Sequence, residues 1–347
     1  MALRPADLPN QVVALGLQEP ANRHLPGDER DQGEGMPKEN HRKQHFVPQC
    51  YLKAWHDTTE PLGPRHTPYV WHFDRDGKNP RKKAPKNIFT ETDIYTMPLP
   101  DDTRDLRLEH GFNGVEQRFD YIRKHRLDGK QWPKPEELLY LLAFAAIARF
   151  RTPAFRDMQR TQWGEMHNFA MEIKRDMEAA SPEQRRAAAA MPRLGTDGPG
   201  MTLEDVARLR DHPIQTAAAS LLKHILDGYM GMSAAILCTD DPVGFITSDN
   251  PCVWVDPGAH ERPYLMQGVG LGWKTVEVTM PISPRQCLLL SHDEAWAGFL
   301  DVDKERLRIL NARHIRACNE AFVARRKVLP EAWLDVLQDT ELADSAA

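Results

Sequence analysis

Six residues of this chain have types and settings that suit chemistry: His45, Glu116, Arg149, Arg151, Asp249 and Asn250. His45 opens the run His45-Phe46-Val47-Pro48-Gln49-Cys50-Tyr51-Leu52, and Asp249 lies far along the chain in Phe245-Ile246-Thr247-Ser248-Asp249-Asn250-Pro251. An imidazole titrates near neutrality, so His45 can move a proton or bind a metal. It serves equally well as a capping or core histidine bonded to a carbonyl. Asp249 can hold a divalent cation or act as a base, and Asn250 can orient a substrate or a phosphate. The plainer reading is an Asx turn in which both side chains serve the local backbone. Ser248 lacks the Gly-x-Ser-x-Gly setting of a hydrolase nucleophile, which leaves it a binding role. Glu116 sits beside apolar Val115 and Phe119, and a carboxylate at such a boundary needs an arginine or a metal as partner. Arg149 and Arg151 follow the apolar stretch 138–148. Either forms an internal pair with Glu116, or its fork binds a carboxylate or phosphate anion. Tyr51 is expected to bury its ring and turn its hydroxyl toward the same site.

Taken together, these groups suit hydrolysis of a phosphate ester. Asp249 and Glu116 would hold a divalent metal, an arginine would stabilise developing charge and His45 would move the proton. The charge distribution adds a partner class. The chain carries a formal net charge of −5, yet residues 38–86 hold eleven Lys/Arg against five Asp/Glu. Such a basic module, with Lys82 and Lys83 at its centre, favours a nucleotide or nucleic acid as substrate. A solvated loop around Arg81-Lys82-Lys83 is the competing reading. The alternative function is a non-catalytic interaction or regulatory protein in which both motifs are structural.

Several classes are disfavoured. There is no Gly-x-x-x-x-Gly-Lys-Ser/Thr, no Gly-x-Gly-x-x-Gly and no His-Glu-x-x-His. Gly268-Val269-Gly270-Leu271-Gly272 is glycine-rich, but a strand rather than a helix is expected after it. The five cysteines, Cys50, Cys238, Cys252, Cys287 and Cys318, form no Cys-x-x-Cys pair, so reduced and mostly buried thiols are expected. No apolar run approaches the roughly 20 residues of a membrane span. With no secretory signal pattern, the expectation is a cytoplasmic protein without membrane contact.

The elements that must position these residues fall into three regions. Residues 1–37, broken by five prolines, read as a disordered tail with at most a short helix at 11–18. Residues 38–327 read as a single large α+β domain, and 328–347 as a C-terminal helix and frayed tail. Within the domain, 47–56 reads as a short amphipathic helix begun by Pro48. Residues 69–73 read as a strand and 88–96 as an extended segment. The middle is helical: 106–126, then 136–150 opened by Pro135, a break at Thr152-Pro153, then 154–180. Ser181-Pro182 reads as a capped restart, 193–200 as a Gly/Pro loop, and 202–228 as one or two further helices. Strands are expected at 233–238, 244–247, 274–280 and 286–290, a helix at 303–318 and a closing strand at 321–324. Strands grouped away from a helical middle predict α+β: helices packed on a mainly antiparallel sheet drawn from both ends of the chain.

The chain also resembles an uncharacterised, mainly bacterial family known only as a domain of unknown function. The resemblance rests on His-x-x-Pro-x-x-Tyr-Leu at 45–52, the aromatic strand at 69–73 and the segment Asn87 to Tyr95. Glu116, Arg151-Thr152-Pro153, Thr-Ser-Asp-Asn-Pro at 247–251, the turn Pro281 to Pro284 and Asn311 complete it. It spans about Lys38 to Lys327. It implies no activity, so the metal and the substrate stay open.

Overall fold

A computed structural model describes residues 43–59, 68–98, 103–190 and 200–334. The expected tail, most of the 193–200 loop and most of the C-terminal segment lie outside them. β1 (Lys43–His45), α1 (Gln49–Leu52), β2 (Val70–Asp74), β3 (Arg81–Lys83), β4 (Thr90–Thr92), β5 (Met97–Pro98) and β6 (Arg104–Asp105) come first. The helical middle is α2 (Arg107–His125), α3 (Pro135–Phe150), α4 (Pro153–Ala179), α5 (Pro182–Ala189), α6 (Leu203–Asp211) and α7 (Pro213–Met230). The C-terminal third holds β7 (Ser233–Cys238), β8 (Thr247–Ser248), β9 (Val253–Val255), β10 (Glu277–Ser283), β11 (Gln286–Ser291), β12 (Gly298–Asp301), α8 (Lys304–Arg316) and β13 (Ala321–Ala324). The class is α+β, with largely antiparallel sheets.

Prolines and caps set the helix boundaries. Pro135, Pro153, Pro182 and Pro213 each stand at a first helical position, where a missing N–H costs nothing. α3 and α4 meet at 60° across Arg151-Thr152, and the Thr152 hydroxyl accepts the Phe155 N–H at 3.3 Å to start the second helix. Ser181 and Gln184 form a reciprocal capping box, and the Asp303 carboxylate accepts the Arg306 N–H at 2.7 Å. The expected helix at 47–56 is shorter: four α-helical residues, then a 3-10 turn at Lys53–Trp55. The C-terminal segment holds a 3-10 turn at Glu331–Trp333 within its described part.

Among the described residues the β-structure divides into two main sheets and two short two-stranded ladders. A five-stranded sheet runs β12-β7-β11-β10-β9, its β12–β7 pair parallel and the rest antiparallel. A four-stranded antiparallel sheet runs β3-β2-β13-β8 and joins the two ends of the chain. In it Phe322 of β13 faces Phe73 of β2, the rings stacked with centroids 5.0 Å apart. β1 pairs with β4, which leaves only three residues of the expected 88–96 segment in a ladder.

The strand expected at 244–247 is shorter for a physical reason. Its backbone is held by non-strand partners. The Phe245 N–H donates to the Pro284 carbonyl at 2.9 Å and the Ile246 N–H to Asn311 Oδ1 at 3.0 Å, while Asn311 Nδ2 donates to the Gly244 carbonyl at 3.0 Å. Gly244 has φ +73°, and a Cβ there would overlap the Pro284 carbonyl, so only glycine fits the turn.

α3 is buried nearly all round and packs against α2 and α7. No helix among the described residues is long and apolar enough to cross a membrane. α2 turns Phe112, Val115, Phe119 and Ile122 to α3 and its neighbours, and Phe119 stacks on Phe144 at 3.8 Å between centroids. A second, smaller core unites Phe73, Phe245, Leu307 and Phe322. Tyr51 and Trp55 enter the larger core, both fully buried.

Candidate functional site

The two motifs meet through Tyr51. Its hydroxyl donates to the Pro281 carbonyl at 2.7 Å and shares a 2.7 Å hydrogen bond with the Thr247 hydroxyl. Trp55, one turn further on, donates its indole N–H to the Phe245 carbonyl at 2.8 Å. The first motif is thereby stitched to the second inside the core. Tyr51 is wholly buried in these bonds.

His45, Glu116 and Arg151 do come together. They line a pocket of 430 Å³ between β1, α1 and α2. Arg151 is 3% exposed. Its Nη1 donates to Glu116 Oε1 at 2.7 Å, its Nη2 to the His45 carbonyl at 2.6 Å and its Nε to the Tyr95 hydroxyl at 3.1 Å. The guanidinium lies over the rings of Phe112 and Tyr95, at 4.9 and 5.2 Å. Burial works against its charge, but Tyr95 and Glu116 outweigh it and hold the group above its ordinary value. The internal Glu–Arg pair expected from the sequence is therefore Glu116–Arg151. Arg149, two residues away, leaves on another face of α3 and stacks on Trp254 at 5.1 Å.

His45 ends β1. Burial lowers its pKa, the backbone carbonyls of Pro85 and Lys86 pull the other way, and the Arg151 charge adds to the lowering. The imidazole is therefore neutral at pH 7. Its Nε2 is buried with no hydrogen-bond partner among the described residues. Cys50 lines the same pocket, but burial and the carboxylates of Glu116 and Asp120 push its thiol up to about 12, so it is no nucleophile at neutral pH.

Sequence reasoning missed much of this wall, three polar members of α2 among it. Glu109, His110 and Asn113 line the pocket with Glu116, all from α2. Their spacing places them on one stripe of the helix, separate from the apolar stripe of Phe112 and Val115. That second stripe is the signal that could have found them. Gln44, 1% exposed, links the wall together: its Nε2 donates to Glu109 Oε2 at 2.7 Å and its Oε1 accepts the Tyr95 N–H at 2.8 Å.

Asp249 lies elsewhere. It lines a separate pocket of 390 Å³ with Lys83 and His72, and Glu116 and Arg151 do not. Its Oδ1 accepts the Asn319 N–H at 2.9 Å, and its Oδ2 accepts those of Glu320 at 2.6 Å and Ala321 at 3.2 Å. Burial raises its pKa and those three N–H groups oppose the rise. Asn250 donates to the Ala317 carbonyl at 3.1 Å, at the end of α8, and Ser248 Oγ both donates to the Asn250 carbonyl and accepts its N–H. The geometry therefore does not join Asp249 to Glu116. The carboxylate turns toward the α8–β13 turn, because three backbone donors in a row there need an acceptor. Lys82 stands over the Tyr69 ring at 4.4 Å, on the exposed β3, also apart from Arg151. Among the described residues no three His, Cys, Asp or Glu side chains converge as a metal-ligand group.

The family model for Protein of unknown function (DUF4238) matches residues 43–328. The chain belongs to this DUF4238 family. The match begins at β1 and ends just past β13, so the pocket, the Tyr51 link and the Asp249 turn all lie inside the DUF4238 region. No curated protein and no solved structure matches the chain.

Proposed function

We propose that the chain is a hydrolase of phosphate esters, acting on a nucleotide or nucleic acid by acid–base chemistry in the pocket between β1 and α2. The observation that carries this reading is His45. Residue His45 lines one pocket with a carboxylate and a guanidinium, and its neutral imidazole keeps a buried Nε2 with no partner among the described residues. Leaving such an atom unbonded costs roughly 1–3 kcal/mol, and groups held at that cost call for a role. A neutral imidazole can accept the proton of an attacking water. Arg151 acts as a positioning residue, since its donors are committed to Glu116, Tyr95 and the His45 carbonyl. Glu109 and Glu116, two turns apart on α2, are the groups that would hold a divalent cation, because Mg²⁺ is commonly bound by one or two carboxylates plus substrate phosphates. Asp249 is left out of this set by its three backbone bonds. Five free cysteines fit a reducing compartment, and we place the reaction in the cytoplasm.

The test is hydrolysis of bis(p-nitrophenyl) phosphate and of short DNA and RNA strands, with Mg²⁺ or Mn²⁺. Wild type is expected to turn over at least one of them. His45→Gln and Glu116→Gln are expected to lose roughly a hundredfold or more while staying folded. A folded wild type inert to all three substrates, or a fully active His45→Gln, overturns the reading.

The saturation of Asp249 and the internal bonds of Tyr51 favour a second reading, a non-catalytic interaction protein whose motifs are structural. Under it wild type shows no turnover, and the same variants change only the melting temperature.

A further inference from the structure

The largest of the pockets described, 530 Å³, lies away from His45 and Arg151. Elements distant in the chain build it: the turn after α1, the end of α2, the β10–β11 hairpin and the residue after β13. Its cationic side chains are Lys53, Arg123, Lys130, Arg285 and Arg325, against Asp128, Asp240 and Asp301.

Two of the guanidiniums have no carboxylate partner among the described residues. Arg285 Nη1 donates to the carbonyls of Asp241 at 2.9 Å and Thr239 at 3.4 Å. Arg325 Nη2 donates to the Thr58 hydroxyl at 2.7 Å. The neighbouring Arg326, by contrast, is paired with Asp57 at 2.6 Å. Burial, then the like charges of Arg326 and Arg285, depress Arg325 below its ordinary value. An independent observation points the same way. His56 Nε2, Arg123 Nε, Gln286 Oε1 and Arg325 Nε are buried polar atoms with no partner among the described residues, and all four side chains line this pocket. Arg123 is 8% exposed and Gln286 4%. A protein that gathers like charges and unsatisfied polar atoms in one concavity is short of a ligand with the opposite features.

We propose that this pocket binds a small molecule carrying a phosphate monoester, with Arg285 and Arg325 as the phosphate-binding groups, Arg123 as a supporting donor, and Gln286 Oε1 as an acceptor for a hydroxyl or amino group on the rest of the ligand. A monoester carries a charge of about −1.5 to −2 at neutral pH, enough to offset both of these guanidiniums, whereas a carboxylate offsets one. The guanidinium fork matches phosphate oxygens. The volume falls within the roughly 300–1,000 Å³ of small-molecule sites and suits a mononucleotide. Asp128 and Asp240 on the same lining supply acceptors for hydroxyl or amino groups on the rest of the ligand. The site stands whether or not the His45 pocket is catalytic.

The experiment is calorimetric titration and thermal shift of the full chain at constant ionic strength, with inorganic phosphate, AMP, adenosine and acetate. Phosphate and AMP are expected to bind and compete with each other, and adenosine and acetate are not. Arg285 is exposed, so Arg285→Glu should fold like wild type by circular dichroism. It is expected to weaken AMP by about tenfold or more, as is Arg325→Gln. Absence of AMP and phosphate binding to wild type overturns the proposal, and so does unchanged AMP affinity in a folded Arg285→Glu.

Discussion

Replacing Arg151 by Met removes a buried cation and leaves its three acceptors behind. Glu116 Oε1, the His45 carbonyl and the Tyr95 hydroxyl each lose a donor at 2.6–3.1 Å. The Glu116 side chain is only 16% exposed, so water replaces the arginine poorly. Removing one partner of a buried pair costs roughly 3–5 kcal/mol, mostly as the penalty of the stranded charge. In a domain of this size that lowers the melting temperature by about 10 °C. The decisive assay is a double-mutant cycle by urea unfolding with Glu116→Gln and Arg151→Met. If the pair is coupled as the geometry requires, the double variant is more stable than the sum of the single losses predicts, by about 2 kcal/mol. The same substitution removes a positive charge that lowers the His45 pKa, so that pKa should rise in Arg151→Met, followed by NMR of the imidazole. Additivity within about 0.5 kcal/mol, or a single-variant loss under about 1 kcal/mol, refutes the argument.

Two further outcomes follow from groups outside the pocket. Asp249→Ala strands the N–H groups of residues 319–321 and is expected to cost about 2–4 kcal/mol in urea unfolding; a loss under about 1 kcal/mol would mean those bonds do not hold the turn. His314 is fully buried, and burial plus the Arg313 charge push its pKa down to about 3 from 6.5. The unfolded chain therefore takes a proton below about pH 6.5 while the folded chain does not, so stability is full above that pH and falls as pH drops. The slope is about 1.4 kcal/mol per unit, or about 2 kcal/mol from pH 6.5 to 5. His314→Gln should remove that share of the loss, and an unchanged pH profile in the variant would refute the assignment.

Local chemistry is what the sequence determined by itself. Apolar spacing and prolines placed α2, α3 and α4, because a helix face and a missing N–H act within a few residues. Glu116 beside Val115 and Phe119 demanded a cation before any fold was known, because a carboxylate at an apolar boundary is costly alone. Tertiary structure decided which cation. Arg149 and Arg151 are equivalent in composition, but the end of α3 at Phe150 turns one to Trp254 and the other to Glu116. Asp249 was expected to meet Glu116, yet backbone N–H groups seventy or more residues onward claim its oxygens. The Tyr51–Thr247 bond spans 196 residues and the Arg325–Thr58 bond 267. Periodicity cannot encode such pairings, because they depend on how whole sheets and helices pack. The pockets are made of them, so their membership emerged only when the chain was folded.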